Sequence, residues 1–178
     1  GNEQLEGKVH VVGFFFSSCP SSCPRLLGVM KEIGDRLDEQ AGFNGLGADV
    51  RLLGITVDPA TDTPERLKAL SAERGLDSPR WSLLTGSSEA LEALVLEGFG
   101  LAVGERTEVA PGVYDIAHSN RLAIVDGDGG VRGFYGLEPV GDRFGLAGQH
   151  LDSDQDGPEA IRAWAGVVLR EQRRRARP

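Results

Sequence analysis

Residues 9–24 have the sequence VHVVGFFFSSCPSSCP, in which an apolar run leads into a turn that carries both cysteines of the chain. Val9 to Phe16 is almost continuously apolar, which is typical of a β-strand covered on both faces. The amphipathic stretch from Arg25 to Gln40 predicts a helix. Cys19 and Cys23 therefore lie where a strand passes over to the N-terminus of a helix.

That position has chemical consequences for Cys19 and Cys23. The free N–H groups and the dipole of a helix N-terminus favour a thiolate over a thiol. On a helix, side chains four residues apart share a face, with Cβ atoms about 5–6 Å apart. Two thiolates so placed can hold one soft metal ion or close into a disulfide. The alternative is a purely structural pair, but Pro20 and Pro24 suit a first helical turn and favour a functional site.

The remaining elements follow from hydrophobic periodicity and from capping residues. Thr63 is predicted to cap a helix with Pro64 at its first position, ending near Gly75. The other predicted elements are strands Val50–Val57 and Trp81–Leu84, helix Ser87–Phe99, a hairpin of Arg121–Asp126 and Val131–Tyr135, and a last helix Pro158–Arg173. This order predicts a thioredoxin-like α/β fold, with a central mixed sheet and helices on both faces.

Length and composition predict one soluble globular domain, residues 1–178, with 40% hydrophobic residues and a net charge of −8. Such a charge argues against nucleic acid or an anionic membrane surface as a general partner. Residues 136–156 are rich in Gly and Asp and predict a surface insertion, whereas residues 174–178 form a basic tail. No run approaches the ~18–20 apolar residues of a membrane span, so we expect any membrane anchor to lie outside this chain.

The three histidines differ in their predicted roles. His10 falls inside the first strand and is predicted to be packed there, and His150 falls in the predicted insertion. His118 precedes the strand Leu122–Val125, which in a thioredoxin-like sheet lies next to the strand leading into Cys19. The topology therefore predicts that His118 faces the two thiols across the end of the sheet.

Two further segments are candidates for other roles. Asp152 to Gly157 matches the first half of a calcium-binding loop, but Ala163 stands where the bidentate glutamate is needed. Asp156 is better explained as a cap of the last helix. Gly104 to Ala117 is rich in charge, Gly and Pro, and it is predicted to be the most variable loop of the metal-free protein, with few anchoring residues.

Taken together, the motifs resemble the Sco/SenC family. The resemblance covers the C-x-x-x-C-P run at Cys19 to Pro24, the V-D-P-x-x-D-T-P run at Val57 to Pro64, and His118-Ser119, in that order. It implies copper, Cu(I) or Cu(II), bound by Cys19, Cys23 and His118, with Asp58 in the outer shell of the site. Ser21 stands where many family members carry Asp.

The resemblance also implies a cellular role. Family members are thioredoxin-like copper chaperones, usually tethered to a membrane and facing the periplasm or the mitochondrial intermembrane space. They assist assembly of the dinuclear copper A centre of cytochrome c oxidase subunit II. The expected partners are thus that subunit or another copper-receiving protein, and a thiol reductant protein that keeps the cysteines reduced.

Thiol chemistry without a metal is the competing hypothesis. A thiol-disulfide oxidoreductase would use Cys19 and Cys23 as its catalytic redox pair. Generic thioredoxins, however, carry C-x-x-C and a proline before the strand at Leu122, whereas this chain carries C-x-x-x-C and no such proline. A peroxiredoxin-like peroxidase is disfavoured further, because Phe16 occupies the position of its threonine.

Overall fold

The computed structural model describes residues 5–44, 49–137, 165–171 and 173, with the side chains of residues 40–44 excepted. Its elements are β1 (Val9–Phe15), α1 (Cys23–Asn44), β2 (Val50–Thr56), α2 (Pro64–Arg74), β3 (Trp81–Leu84), α3 (Ser88–Ala93), β4 (Arg106–Ala110), β5 (Val113–Ile116), β6 (Leu122–Val125) and β7 (Val131–Tyr135). A π-helical turn, Leu94–Gly98, extends α3, and residues 165–171 are helical.

A five-stranded mixed sheet in the order β3-β2-β1-β6-β7 forms the centre of the fold. β1 and β2 are parallel, as are β2 and β3, whereas β6 runs antiparallel to both β1 and β7. All seven residues of β1 are buried, as expected for the central strand of a covered sheet. The predicted α/β arrangement is confirmed, including the β6–β7 hairpin.

The two faces of the sheet bury different side chains. Val9, Val11 and Phe15 pack with α1, α2 and residues 165–169, whereas Val12 and Phe14 pack with Leu91 and Val95 of the α3 region. This alternation follows from the two-residue period of a strand. The layers on both faces hold β1 rigidly, and β1 leads directly into the cysteine turn.

Close packing fixes α1 against β1. A Cβ atom on Gly13 would lie 2.7 Å from Met30 Sδ and 2.8 Å from a Leu26 methyl group, closer than any real side chain tolerates. Glycine therefore lets the first helix approach the central strand directly. The N-terminal turn of α1 is held at the sheet edge as a result.

The predicted boundaries need only small corrections. α1 begins at Cys23, two residues earlier than predicted, and it ends at Asn44 rather than Gln40. α2 begins and ends as predicted: the Thr63 hydroxyl accepts a hydrogen bond from Arg66 N–H, and Gly75 terminates it with a positive φ of 63°.

The prediction of a poorly anchored loop from Gly104 to Ala117 is wrong in one respect, because this segment forms the β4–β5 hairpin. Gly112, with φ of 72°, makes the turn, and its N–H donates to the Glu108 side chain. At its base the hairpin is closed by a hydrogen bond from Gly104 N–H to Ala117 carbonyl, and Ile116 is buried. The hairpin escapes prediction because β4 is exposed throughout and shows no alternation of buried residues.

Some predictions fall outside the described residues. They concern the insertion 136–156 beyond Gly136 and Leu137, the calcium-like segment 152–157, His150, the first part of the last helix and the tail 174–178. No helix in the described part of the chain combines the length and the apolar character needed to cross a bilayer.

Candidate metal centre

Cys19, Cys23 and His118 come together at the carboxyl end of β1. Their sulfur and nitrogen ligand atoms all lie within 4.8 Å of one another. The Nε2 atom of His118 is 3.3 Å from Cys23 Sγ, and Cys23 N–H donates to Cys19 Sγ at 3.4 Å. Within the described residues, this is the one cluster of three or more His, Cys, Asp or Glu side chains able to hold a metal ion.

The two cysteines approach each other by a route that differs from the predicted one. Cys19 is not on the helix but in the preceding turn, where its N–H donates to the Phe16 carbonyl at 3.2 Å. Only Cys23 belongs to α1. The turn folds Cys19 back onto the free N–H group of the first helical residue, so the helix N-terminus is aimed at one thiol.

The protonation of the two thiols differs for physical reasons. Burial would raise the pKa of Cys19, but hydrogen bonds from the Cys23 side chain, the Cys23 and Ser21 backbone, and the Ser21 hydroxyl outweigh it and lower that pKa. The pKa of Cys23 is raised, chiefly by burial and then by its hydrogen bond to Cys19. The expectation that the helix N-terminus favours the thiolate holds for Cys19 and is wrong for Cys23, which has only 2% of its surface exposed.

His118 presents Nε2 to the thiols because its other nitrogen is engaged. Nδ1 lies 3.1 Å from the Ser119 carbonyl, and a proton on Nδ1 leaves the lone pair on Nε2. Burial lowers the pKa of His118, whereas the hydrogen bond to the Ser119 carbonyl and the charge of Asp115 act in the opposite direction without cancelling it. The imidazole is therefore neutral at physiological pH, which is the state in which histidine binds metals.

Asp62 supports the turn that carries Cys19, and it was not among the site residues predicted from the sequence. Its Oδ2 accepts hydrogen bonds from Ser17 N–H at 3.0 Å and from the Thr56 hydroxyl at 2.5 Å, and its side chain is fully buried. It thereby ties the turn that carries Cys19 to the end of β2. The available signal is its place in the V-D-P-x-x-D-T-P run, where a carboxylate just before a helix cap can reach a neighbouring strand end.

Asp58 is buried, but no hydrogen bond or ion pair joins its carboxylate to either thiol or to the His118 imidazole. Its Oδ2 accepts a hydrogen bond from the Tyr114 hydroxyl at 2.7 Å, and the Arg106 guanidinium lies 4.0 Å away. The Tyr114 ring in turn stacks on Phe16 with ring centres 5.7 Å apart. Asp58 is thus linked to His118 through a chain of contacts that includes the Tyr114 and Phe16 rings.

The donor set fits a soft metal ion. Bonds from zinc to imidazole and thiolate measure about 2.0–2.3 Å, so one ion of this kind can reach all three atoms after small side-chain adjustments. Two sulfurs and one nitrogen suit Cu(I) or zinc, and they do not suit calcium or magnesium, which take oxygen ligands.

The histidine predicted to be packed in the first strand, His10, lies at the opposite end of β1 and is buried there, with 4% exposed.

Comparison with known proteins places these motifs in a family. The family model described as SCO1/SenC matches residues 1–143. The SCO1 protein homolog of Bacillus subtilis is 30% identical over 138 residues, which cover 76% of this chain and 66% of that protein. A putative copper-binding protein of Stutzerimonas stutzeri is 36% identical over 132 residues, which cover 74% of this chain and 59% of the relative. The chain thus spans about three fifths to two thirds of the length of these curated relatives.

Solved structures agree on the thioredoxin-like fold. A structure of Bradyrhizobium japonicum ScoI with copper bound has a TM-score of 0.65 and 21% identity, covering 96% of this chain and 88% of that one. A second structure, of the Sco protein BsSco, has a TM-score of 0.66 and 23% identity, covering 94% of this chain and 83% of that one. At these identities the likeness concerns the fold, whereas the family match covers most of the sequence. This chain belongs to the SCO1/SenC family.

Proposed function

We propose that this protein is a copper metallochaperone of the Sco/SenC type. It binds one copper ion through Cys19, Cys23 and His118 and delivers it to the dinuclear copper A centre of cytochrome c oxidase subunit II, or to another copper-receiving protein. The observation that carries the proposal is the convergence of the three ligand atoms within 4.8 Å at the end of β1.

The number of ligands favours copper over a structural zinc ion. Structural zinc sites are almost always four-coordinate, and the described residues bring three ligands together. Cu(I) is stable with two or three soft ligands, and the imidazole also permits Cu(II). A site with three ligands leaves room for a ligand of the receiving protein, which is what transfer of a metal between proteins requires.

Related proteins support the same assignment. The Bradyrhizobium japonicum ScoI structure holds bound copper. BsSco is a member of the Sco family of cytochrome c oxidase assembly proteins, and a disulfide switch has been identified in it. In this chain the corresponding switch is a Cys19–Cys23 disulfide, which would remove both sulfur ligands.

The proposed location follows from the family. Sco/SenC proteins usually face the periplasm of bacteria or the mitochondrial intermembrane space. We place this protein on that side, tethered to the membrane, with a periplasmic location preferred. Fractionation of cells that produce the protein tests this placement, and recovery in the cytoplasm would contradict it.

Titration with Cu(I) tests the binding proposal. The fully reduced protein is titrated against a coloured Cu(I) chelator, and we expect one copper per chain. Cys19→Ser and Cys23→Ser should each abolish tight binding, because each removes one of two soft ligands. His118→Ala should weaken Cu(II) binding more than Cu(I) binding, since two thiolates alone hold Cu(I). Unchanged stoichiometry in the double cysteine variant would refute the assignment.

Two controls sharpen this titration. Ser18→Ala changes an exposed residue of the same turn that offers no soft ligand, so its copper binding should equal that of the wild type. A parallel titration with zinc tests metal preference. Delivery is measured separately, by mixing the copper-loaded protein with a metal-free copper A domain and following the absorption of the assembled centre.

Thiol-disulfide exchange is the second candidate function, and the lowered pKa of Cys19 specifically favours it. The Cys19 thiolate would attack a partner disulfide, forming a mixed disulfide and releasing one partner thiolate. Cys23 would then displace the second partner thiolate, leaving the partner reduced by two electrons and this protein as the Cys19–Cys23 disulfide. Reduction of a copper A domain disulfide in a copper-free assay, abolished by Cys19→Ser, would favour this function over metal delivery.

A further inference from the structure

We propose that Tyr114 is a positioning residue of the metal centre, which holds the His118 imidazole against Cys23 before copper arrives. The inference rests on the proposed function, because it concerns how one of the proposed ligands is kept in place. It assigns a role to a residue that touches none of the ligand sulfurs and that lies outside the sequence motifs.

The Tyr114 hydroxyl is held by a buried carboxylate. It donates to Asp58 Oδ2 at 2.7 Å and lies 3.3 Å from the Thr61 hydroxyl. Asp58 is itself fixed, since its N–H donates to the buried Thr56 hydroxyl and its side chain is 5% exposed. The guanidinium of Arg106 covers the Tyr114 ring at 3.3 Å from its centre. The phenol is therefore anchored at its tip and covered on one side of the ring.

The ring of Tyr114 leads directly to the metal centre through Phe16. The Tyr114 and Phe16 rings stack with an interplanar angle of 22°. The Phe16 and His118 rings meet edge to face, with their centres 5.9 Å apart. Phe16 N–H also donates to Cys23 Sγ at 3.5 Å. A shift of the Tyr114 ring would thus move the ring against which His118 rests.

His118 depends on such support because its own segment has little regular structure. It lies between β5, which ends at Ile116, and β6, which begins at Leu122. The hairpin that leads into it pairs only with itself and forms a sheet separate from the five-stranded one. The Tyr114–Asp58 hydrogen bond is therefore a principal tie between the hairpin and the C-terminal end of β2.

The test separates the role of the Tyr114 hydroxyl from that of its aromatic ring. Tyr114→Phe keeps the stacked ring and removes the hydroxyl, so it isolates the anchor to Asp58. We expect it to weaken Cu(II) binding about 10-fold, the lower end of the loss seen when an outer partner of a metal ligand is removed. Cu(I) affinity should fall less, because the two thiolates carry most of it. The His118 imidazole ¹⁵N signals of the metal-free, reduced protein should shift or broaden.

Asp58 supplies the matched control. Asp58→Asn retains an oxygen that can accept from the Tyr114 hydroxyl, so it should stay close to the wild type. Asp58→Ala removes the acceptor and should reproduce the effect of Tyr114→Phe. The double variant Tyr114→Phe/Asp58→Ala should be no weaker in Cu(II) binding than either single variant, because both changes remove the same hydrogen bond.

A second control addresses general damage to the hairpin. Val109 lies on β4 and is 57% exposed, so Val109→Thr alters the hairpin and leaves the Tyr114 side chain itself unchanged. Wild-type imidazole signals and Cu(II) affinity in Tyr114→Phe would overturn the proposal, as would an equal loss in Val109→Thr. If the wild type binds no copper, the proposed function fails, while the imidazole signals of the metal-free variants still decide whether Tyr114 positions His118.

Discussion

The Nε2 atom of His118 lies 3.3 Å from the Sγ atom of Cys23, although 95 positions separate the two residues in the chain. The contact follows from the pairing of β1 and β6, which run antiparallel as neighbours in the sheet. The end of β1 and the beginning of β6 therefore meet at one edge. The cysteine turn follows the first strand, His118 precedes the second, and the proposed metal centre forms between them.

Burial of His118 predicts how copper affinity depends on pH. Because burial lowers the pKa of this imidazole below its ordinary 6.5, His118 stays neutral and able to bind metal to a lower pH than a free histidine. Both thiols must lose their protons when copper binds, so Cu(II) affinity declines steadily as the pH falls. His118 should add its own step below pH 6.5, rather than at 6.5 where a free histidine would add it. Competition titrations over a pH series measure this. His118→Ala should lack the step, and an identical profile in wild type and variant would contradict the prediction.

The unequal thiols predict unequal reactivity. Cys19 has a lowered pKa and Cys23 a raised one, so near neutral pH the thiolate is concentrated on Cys19. With limiting iodoacetamide on the reduced, metal-free protein, we expect alkylation at Cys19 first, as located by peptide mass spectrometry. Cys23→Ser should react at a rate similar to the wild type, whereas Cys19→Ser should react more slowly. Preferential alkylation of Cys23 would contradict the assignment.

Much of the fold could be predicted because local patterns and tertiary structure agree there. The apolar run of β1, the Thr63 cap with Pro64 and the terminating Gly75 each determine local conformation directly, and the structure confirms each of them. The β4–β5 hairpin could not be predicted in this way. Its strands are short and mostly exposed, and tertiary contacts such as the Tyr114–Asp58 hydrogen bond hold it.

The candidate site was predictable in its members but not in its electrostatics. Cys19 and Cys23 are evident from their spacing, and His118 follows from the order of strands in the predicted sheet. The opposite pKa shifts of the two thiols depend on burial, which spacing does not reveal. Tyr114 could not be found because its partner is distant in the chain: 56 positions separate it from Asp58. The V-D-P-x-x-D-T-P run marks Asp62, but it does not reveal the contact with Ser17, which lies 45 positions away.

Oxidation should switch copper binding off. A Cys19–Cys23 disulfide removes both thiolates, so the oxidised protein should release copper and regain it after reduction. Mass spectrometry under mild oxidant should show loss of two hydrogens without dimer formation. The cysteines are free in this structure and their sulfurs lie within 4.8 Å of each other, so the disulfide needs only a small movement. Equal copper affinity in the oxidised protein would show that the thiols are not ligands.

Removal of the Asp62 carboxylate should affect both stability and the metal centre. Asp62→Ala leaves the Ser17 N–H and the Thr56 hydroxyl without their acceptor, which should cost about 1–3 kcal/mol in the free energy of unfolding. Because Ser17 lies in the turn that carries Cys19, copper affinity should fall as well. Urea unfolding and copper competition measure the two effects. Asp62→Asn keeps one acceptor oxygen and should lose less; unchanged stability in Asp62→Ala would contradict this role.

His10 should make the protein sensitive to acid independently of the metal centre. Burial, and then the charges of Arg51 and Lys8, lower its pKa from 6.5 to about 4 in the folded state. Its Nε2 atom has no hydrogen-bond partner among the described residues. The unfolded chain therefore binds a proton at a higher pH than the folded chain does. The contribution of neutral His10 to stability is complete above pH 6.5 and is lost progressively as the pH falls toward 4.

The variant His10→Leu tests this linkage. Leucine has no proton to bind and fits an apolar position, so the variant should be at least as stable as the wild type at neutral pH. The free energy of unfolding, measured in urea on the reduced, metal-free protein, should then fall less steeply than the wild type's between pH 6.5 and 4. His118→Ala is measured as a control, because His118 is the other described histidine whose pKa is lowered and it could add to the same pH dependence. Parallel curves for the wild type and His10→Leu would show that His10 binds its proton equally in both states, because only a difference in proton binding between the folded and unfolded chains can separate them.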